Sequence, residues 1–266
     1  MDIAATVNEL VRAGHRRIPA QAKVAHDIIL SAIKAAGMKD RITIKGGVVM
    51  SGLTKLVRRA TIDMDVDLVR YSLRNDAIEK FVQLLDKSSD CTIAIDGPIA
   101  DLMQADYRGK RLYLRATDDK KKSVVTKLDI GVHADVSIAQ KDFVFDVVTD
   151  TKSVKLLANS NEQIFVEKLK SLLRLGTLST RYKDVFDMFF LSGKVNRRTL
   201  KAYVSHIIYS DKKMREKDAS AMARRLQSIF DDRLFKRGLR NKKHAWLDTP
   251  PDEVTRSLLS FIEKLD

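Results

Sequence analysis

The chain holds a single cysteine, Cys91, among 266 residues. One thiol excludes an internal disulfide framework and any zinc site of the multi-cysteine kind. It fits a reducing cytoplasm, the localisation expected here. Also lacking is any run of about 18 apolar residues, so no segment is expected to span a membrane. The first residues carry no basic stretch ahead of an apolar core, and a secretory signal is therefore not expected. Five histidines, His15, His26, His133, His206 and His244, are scattered without metal-ligand spacing. Structural or exposed roles are expected for them, and a core position for Cys91. Internal repeats and low-complexity tracts are missing too. What remains is an ordinary globular composition, 44% hydrophobic, with length for one large domain or two modest ones.

Charge is the first positive feature. Forty-nine Lys and Arg stand against 35 Asp and Glu, a net +14. From Lys194 to Lys243 there are sixteen basic residues and five acidic ones, a net +11 in fifty residues. Such clustering is the footprint of a polyanion partner, most often nucleic acid. The plainer alternative is a solvated helical face that keeps the protein soluble.

The texture divides the chain. Residues 1–40 read as helix; over 20–36 the spacing of Ala25, Ile28, Ile29, Ala32 and Ile33 is helical, and Gly37 ends the run. Residues 41–45 predict a short strand, Gly46-Gly47 a break, 48–56 a helix, 61–69 a strand and 75–85 an amphipathic helix. From 91 to 157 the pattern is β-rich, with strands expected at 91–95, 110–115, 124–132, 143–148 and 153–157. Asp118 to Lys122 forms a polar hairpin turn. Helices follow to the end. The expected class is α+β: a mixed-sheet domain over residues 1–157, then a helical, basic domain over 158–266.

The chemistry concentrates in Thr61-Ile-Asp63-Met-Asp65-Val-Asp67. In a strand successive side chains point to opposite faces, so the three carboxylates share one face. On a helix Asp65 would lie about 200° around the axis from Asp63, and the pair could not converge. Like charges so close repel unless a cation lies between them, which points to a divalent metal. A half-exposed strand also alternates polar and apolar residues, but aspartate is depleted in strands. Upstream, Lys45-Gly46-Gly47 joins a strand to a helix. Glycine lets a ligand approach the main chain, and the N–H groups opening a helix attract phosphate. Most Gly-Gly pairs are mere turns; beside an acidic strand this one is a candidate triphosphate cradle. In Lys127-Leu128-Asp129-Ile130 a further carboxylate interrupts an apolar strand. Two acids on one strand and a third on a neighbour suit two-metal phosphoryl transfer.

Two helical motifs follow. Ser160-Asn-Glu-Gln163 has capping-box form and opens a helix to Leu175, with Phe165, Leu169, Leu172 and Leu173 as its buried stripe and Lys168 on the border. A second helix begins in Thr180-Arg181-Tyr-Lys-Asp184-Val-Phe-Asp187 and ends at Gly193, its apolar face expected from Tyr182, Phe186, Phe189 and Phe190. Asp184 and Asp187 sit about 60° apart around its axis. They read equally well as acids favouring a helix N-terminus or as functional groups.

Taken in order, Lys45-Gly-Gly-Val-Val-Met-Ser51, Arg59-Ala-Thr-Ile-Asp63-Met-Asp65-Val-Asp67, Lys127-Leu-Asp129-Ile, Val166-Glu-Lys168-Leu and Arg181-Tyr-Lys-Asp184-Val-Phe-Asp187 resemble the AbiEii nucleotidyltransferase-like toxins of bacterial toxin–antitoxin pairs. The resemblance covers roughly residues 40–192; its acidic motif is shared with the wider DNA polymerase β-like superfamily. It implies a nucleotidyltransferase fold, a small mixed sheet flanked by helices, with a helical lobe closing the cleft. Asp63 and Asp65 would be metal ligands, and Asp129 the third acid, a metal ligand and a base for the acceptor hydroxyl. Lys168 would contact nucleotide phosphate, and Asp184 would complete the essential set. Lys45, Gly46, Gly47, Ser51, Arg181 and Asp187 are the remaining nucleotide-binding candidates. Many relatives place Thr or Ser directly after the glycines; Val48 stands there in this chain, leaving backbone N–H groups or Ser51 to serve.

The resemblance implies a Mg²⁺ (or Mn²⁺) dependent transfer of NMP from an NTP to RNA, tRNA first, with an antitoxin as partner. Transfer to a protein or small-molecule hydroxyl is the alternative enzyme reading. A catalytically silent nucleic-acid-binding module is the alternative from another class. A final aromatic, Trp246, is expected to anchor the C-terminal segment.

Overall fold

In a computed structural model, residues 1–104, 107–133, 138–149 and 152–265 are described. The chain divides into two compact units, Met1–Asn159 and Ser160–Asp266.

The first unit opens with helices α1 (Ile3–Arg12) and α2 (Arg17–Ala35). The α2 helix starts three residues earlier than its periodicity suggests, so Pro19 sits in its first turn, where a missing N–H costs nothing. Gly37 takes φ +69° and donates to Lys34 O, while Met38 N–H reaches Ile33 O. That left-handed close is a glycine C-cap. Strand β1 (Ile42–Lys45) runs directly into α3 (Gly46–Thr54). Gly46 and Gly47 therefore form the first turn of the helix rather than a break before it, a correction to the sequence reading. After a short turn of helix at Val57–Arg59 come β2 (Asp63–Val69) and α4 (Asn75–Lys87). Then follow β3 (Thr92–Ile95), β4 (Ala100–Gln104), β5 (Tyr107–Thr117), β6 (Ser123–His133), β7 (Lys141–Asp146) and β8 (Ser153–Ala158). The β4 strand has no counterpart among the expected elements.

These strands form one mixed sheet in the order β3-β5-β6-β2-β1-β8-β7, with β4 paired to β5. The pairs β2–β6 and β1–β8 are parallel, the others antiparallel. Met64, Val66 and Leu68 of β2 and Leu128 and Ile130 of β6 are buried, and α2 packs against β6 and β8. His26 of α2 reaches this layer, its Nε2 2.9 Å from Thr126 Oγ1, and burial pushes its pKa down to about 4. The opposite face of β2 carries Asp63, Asp65 and Asp67. A sheet with one apolar and one acidic face follows from strict alternation. The hairpin between β5 and β6 closes where the polar turn was expected: Asp118 N–H donates to Lys122 O, and the Asp118 carboxylate accepts from Lys122 N–H and Ile3 N–H.

The second unit is helical throughout: α5 (Asn161–Leu175), α6 (Tyr182–Ser192), α7 (Arg197–Val204), α8 (Ala219–Asp231), α9 (Arg233–Leu239) and α10 (Pro251–Glu263). Ser160, Asn196, Asp218 and Asp232 each accept a hydrogen bond from an N–H in the first turn of the helix they cap, worth about 1 kcal/mol apiece. The box at Ser160 is half made, since the Gln163 amide turns to Glu167 Oε1 instead. Trp246 is buried and meets Phe190 edge-on at 5.6 Å, which ties the segment before α10 to α6. Cys91 and Trp246 thus keep the core roles expected of them.

Candidate active site

Register sets the acidic face. Asp63, Asp65 and Asp67 of β2 lie opposite Lys127, Asp129 and Gly131 of the parallel strand β6. On the other side, Lys45 of β1 lies opposite Asp65. Beyond β6, Arg111 of β5 lies opposite Asp129. Residues paired across strands share a face, so acids and bases interleave on one surface.

Each acid with a resolved ion pair meets a base from the neighbouring strand. Lys127 Nζ is 2.8 Å from Asp63 Oδ2, and Lys45 Nζ is 2.8 Å from Asp67 Oδ2. Arg111 grips Asp129 with both arms, Nε to Oδ1 and Nη2 to Oδ2, each 2.8 Å. The Asp129 hydrogen bonds raise the Arg111 pKa further. Asp65 instead faces the start of α3, where a Cβ added to Gly46 would come within 2.5 Å of its Oδ2. Gly46 takes φ +59°, which favours glycine. The helix it opens has no side-chain cap from Lys45.

Asp63, Asp65 and Asp129 supply hard oxygen donors of the type a divalent cation takes, and the Gly46 cradle brings backbone against one of them. Among the described residues, however, no three His, Cys, Asp or Glu are grouped so that they could hold a metal ion. The like charges are balanced by Lys127, Arg111 and Lys45, the cross-strand opposite-charge pairing that stabilises sheets. The donor type fits a hard divalent cation; assembling the set requires exchange of these partners.

Ser51 lies elsewhere. Five residues beyond Gly46, it is turned about 140° around α3. It lines a cavity of about 200 Å³ with Lys23, Asp27, Val48, Thr61 and Phe145. No β2 aspartate is among the described residues lining that cavity. Asp27 there is pushed up to about 6 by burial, against the pull of Lys23.

In the helical unit the candidates gather in a second cluster. Lys168 Nζ lies 2.5 Å from Asp184 Oδ1 and 2.9 Å from Asp187 Oδ2. Arg181 Nε reaches Asp184 Oδ2 at 2.5 Å. The side chains of Lys168, Asp184 and Asp187 are 8%, 9% and 0% exposed; that of Arg181 is 50% exposed. Burial alone would raise the Asp184 pKa, but Lys168 and Arg181 outweigh it and hold the carboxyl at about 2. The α6 helix thus buries Asp184 and Asp187 with Val185, Phe186, Met188 and Leu191; of the aromatic stripe expected, only Phe186 is buried, and Tyr182, Phe189 and Phe190 are half-buried.

A family model described as "Nucleotidyl transferase AbiEii toxin, Type IV TA system" matches residues 28–258. The chain belongs to this AbiEii family. It is therefore a nucleotidyltransferase toxin at the level of its family, with a nucleotide substrate and an antitoxin partner implied. No curated protein matches the chain. Among the described residues no helix is long and apolar enough to cross a membrane.

Arg111 escaped the sequence reading, although its signal was present. A hairpin closed at Asp118 and Lys122 places residue 111 across from residue 129. Lys127 lies two residues from Asp129 on the same strand, so alternation puts both on one face, but its pairing with Asp63 needs the β2–β6 register.

Proposed function

We propose that this chain is a divalent-metal-dependent nucleotidyltransferase that moves NMP from an NTP onto RNA, at the 3′ end of tRNA, and so blocks translation and growth. The observation that carries this is the cross-strand pair Asp65–Asp129, with Asp65 set against Gly46 at the N-terminus of α3. Backbone N–H groups at Gly46, Gly47 and Val48 would receive the triphosphate, with no hydroxyl needed at Val48. Lys45 and Lys127, already on that face, would balance further negative charge. Asp63, Asp65 and Asp129 would hold Mg²⁺ or Mn²⁺, which supplies charge neutralisation at the phosphates and a more acidic acceptor hydroxyl. Asp129 would take the acceptor proton. The buried Lys168–Asp184–Asp187 set would hold Arg181 at the surface, where its half-exposed guanidinium can meet phosphate. The basic stretch from Lys194 to Lys243 would bind the acceptor RNA through its backbone, so that affinity falls as salt rises.

The test is incubation of the purified protein with Mg²⁺, each α-labelled NTP in turn, and total tRNA. Label in tRNA from one NTP, removed by Asp65→Asn, is the expected result. Nucleotide binding without label in any RNA would move the acceptor to a protein or small-molecule hydroxyl. No nucleotide binding at all would leave a silent nucleic-acid-binding module.

A further inference from the structure

Arg111 on the acidic face makes a contact that bears on how the site is loaded. Arg111 spans both oxygens of Asp129 at 2.8 Å. Its side chain is 37% exposed and that of Asp129 14%, so the fork lies at the rim of the face rather than in the core. A guanidinium cannot shed its charge at any ordinary pH. Lys127 and Lys45 reach Asp63 and Asp67 through Nζ, a point charge; the Arg111 fork occupies both carboxylate oxygens of Asp129 in a fixed geometry. A divalent cation approaching Asp129 therefore meets a carboxylate already spoken for and a positive charge that cannot be neutralised. The exposure of Arg111 leaves the guanidinium room to swing off β5 once something anionic offers it a better partner.

We propose that Arg111 is a positioning residue that competes with the divalent cation for Asp129 and transfers to nucleotide phosphate when the metal–nucleotide complex enters. This rests on the metal-dependent reading above. Without nucleotide the fork keeps Asp129 oriented and its charge balanced. When nucleotide arrives, the triphosphate takes the guanidinium and Asp129 becomes available to the cation. Metal and nucleotide then bind cooperatively, because each removes an obstacle to the other. The arrangement gives the site little affinity for metal alone.

The test is a Mn²⁺ titration of wild type, Arg111→Gln and Arg111→Lys, followed by calorimetry and by the EPR signal of free Mn²⁺. Each protein is titrated with and without an α,β-methylene NTP, and unfolding midpoints check that all three fold. Without nucleotide, Arg111→Gln should bind Mn²⁺ about tenfold tighter than wild type, as expected for removing a competing bidentate ion pair. Arg111→Lys, which keeps the charge and loses the fork, should fall between. The nucleotide should tighten Mn²⁺ binding more in wild type than in Arg111→Gln. Equal or weaker Mn²⁺ binding by a folded Arg111→Gln would overturn the role of Arg111 while leaving the metal site intact. Absence of Mn²⁺ binding by all three, with and without nucleotide, would overturn the proposal by removing the metal reading beneath it.

Discussion

The two charge clusters of this chain use the same residue types and build opposite things. On the sheet, acids and bases alternate across strands; the side chains of Asp63, Lys127 and Arg111 are 45%, 22% and 37% exposed, and those of Asp129, Lys45 and Asp67 are 14%, 15% and 5% exposed. In the helical unit, Lys168, Asp184 and Asp187 are almost wholly enclosed. An exposed pair contributes little to stability and exchanges its partners readily. A buried one is costly to form and costlier to break, because removing one member strands a charge away from water. The comparison teaches that proximity of charges alone does not distinguish a reaction site from a scaffold. Under the proposed function, the partners that exchange are those at the open rim of the sheet, Asp63, Lys127 and Arg111.

The sharpest way to break this contrast is to remove a buried acid. Asp187→Ala should destabilise the protein by about 3–5 kcal/mol, the cost of leaving Lys168 short of a buried partner, read by chemical denaturation. Little change would mean that the enclosed cluster is not a frame. Next in size, Asp65→Asn should reduce nucleotide transfer by about 10²–10³-fold, abolish growth arrest on expression, and leave the fold in place. Cells still arrested by that variant would show a toxicity that is not catalytic.

Gly46→Ala sharpens the contrast from the backbone side. A Cβ there meets Asp65 Oδ2 at 2.5 Å in a left-handed conformation. The expected cost is about 1–2 kcal/mol in stability, with loss of transfer disproportionate to it. Transfer and stability falling in step would remove the special role of that turn.

The smallest effect is in pH. Asp27, with a folded pKa of about 6 against 3.8, favours its neutral form. Its contribution is present below pH 3.8 and is lost as pH rises to about 6. His26, at about 4 against 6.5, also favours its neutral form. Its contribution is present above pH 6.5 and is lost as pH falls to about 4. Between pH 4 and 6 the two oppose each other. Asp27→Asn should therefore make stability rise more steeply with pH over that window, by at most about 1.4 kcal/mol per unit. An unchanged slope in pH-dependent denaturation would contradict it.

The sheet and its acidic face were legible because alternation has a strong physical consequence. Asp63, Asp65 and Asp67 could share a face only in a strand, and they do. The glycines were read as a break because their composition resembles a turn; the structure makes them the first turn of α3, where Asp65 closes on Gly46 and Thr61 on Gly47. Strand β4 carries no alternation that would announce it. Burial of Asp184 and Asp187 was not legible from spacing, since an acid three residues from another looks the same on either side of a helix. The Asp184–Lys168 contact, sixteen residues apart in the chain, exists only once α5 and α6 pack. Ser51 was grouped with the glycines by proximity in sequence, and helix rotation carried it to a different cavity.

The contrast also appears in net charge. Residues 160–266 hold twenty-three Lys and Arg against fourteen Asp and Glu, a net +9, while residues 1–159 carry +5. The helical unit therefore has the larger electrostatic attraction for a polyanion, and the sheet unit the carboxylates that would act on it.

The most direct measurement of the account is the thermal unfolding midpoint of Asp65→Asn beside that of Asp187→Asn. The account predicts a midpoint within about 2 °C of wild type for Asp65→Asn, and a fall of about 6 °C or more for Asp187→Asn, taking about 3 kcal/mol at about 2–4 °C each. Equal falls in both, or the reverse order, would contradict it: the open face would then be holding the fold, and the enclosed cluster would not.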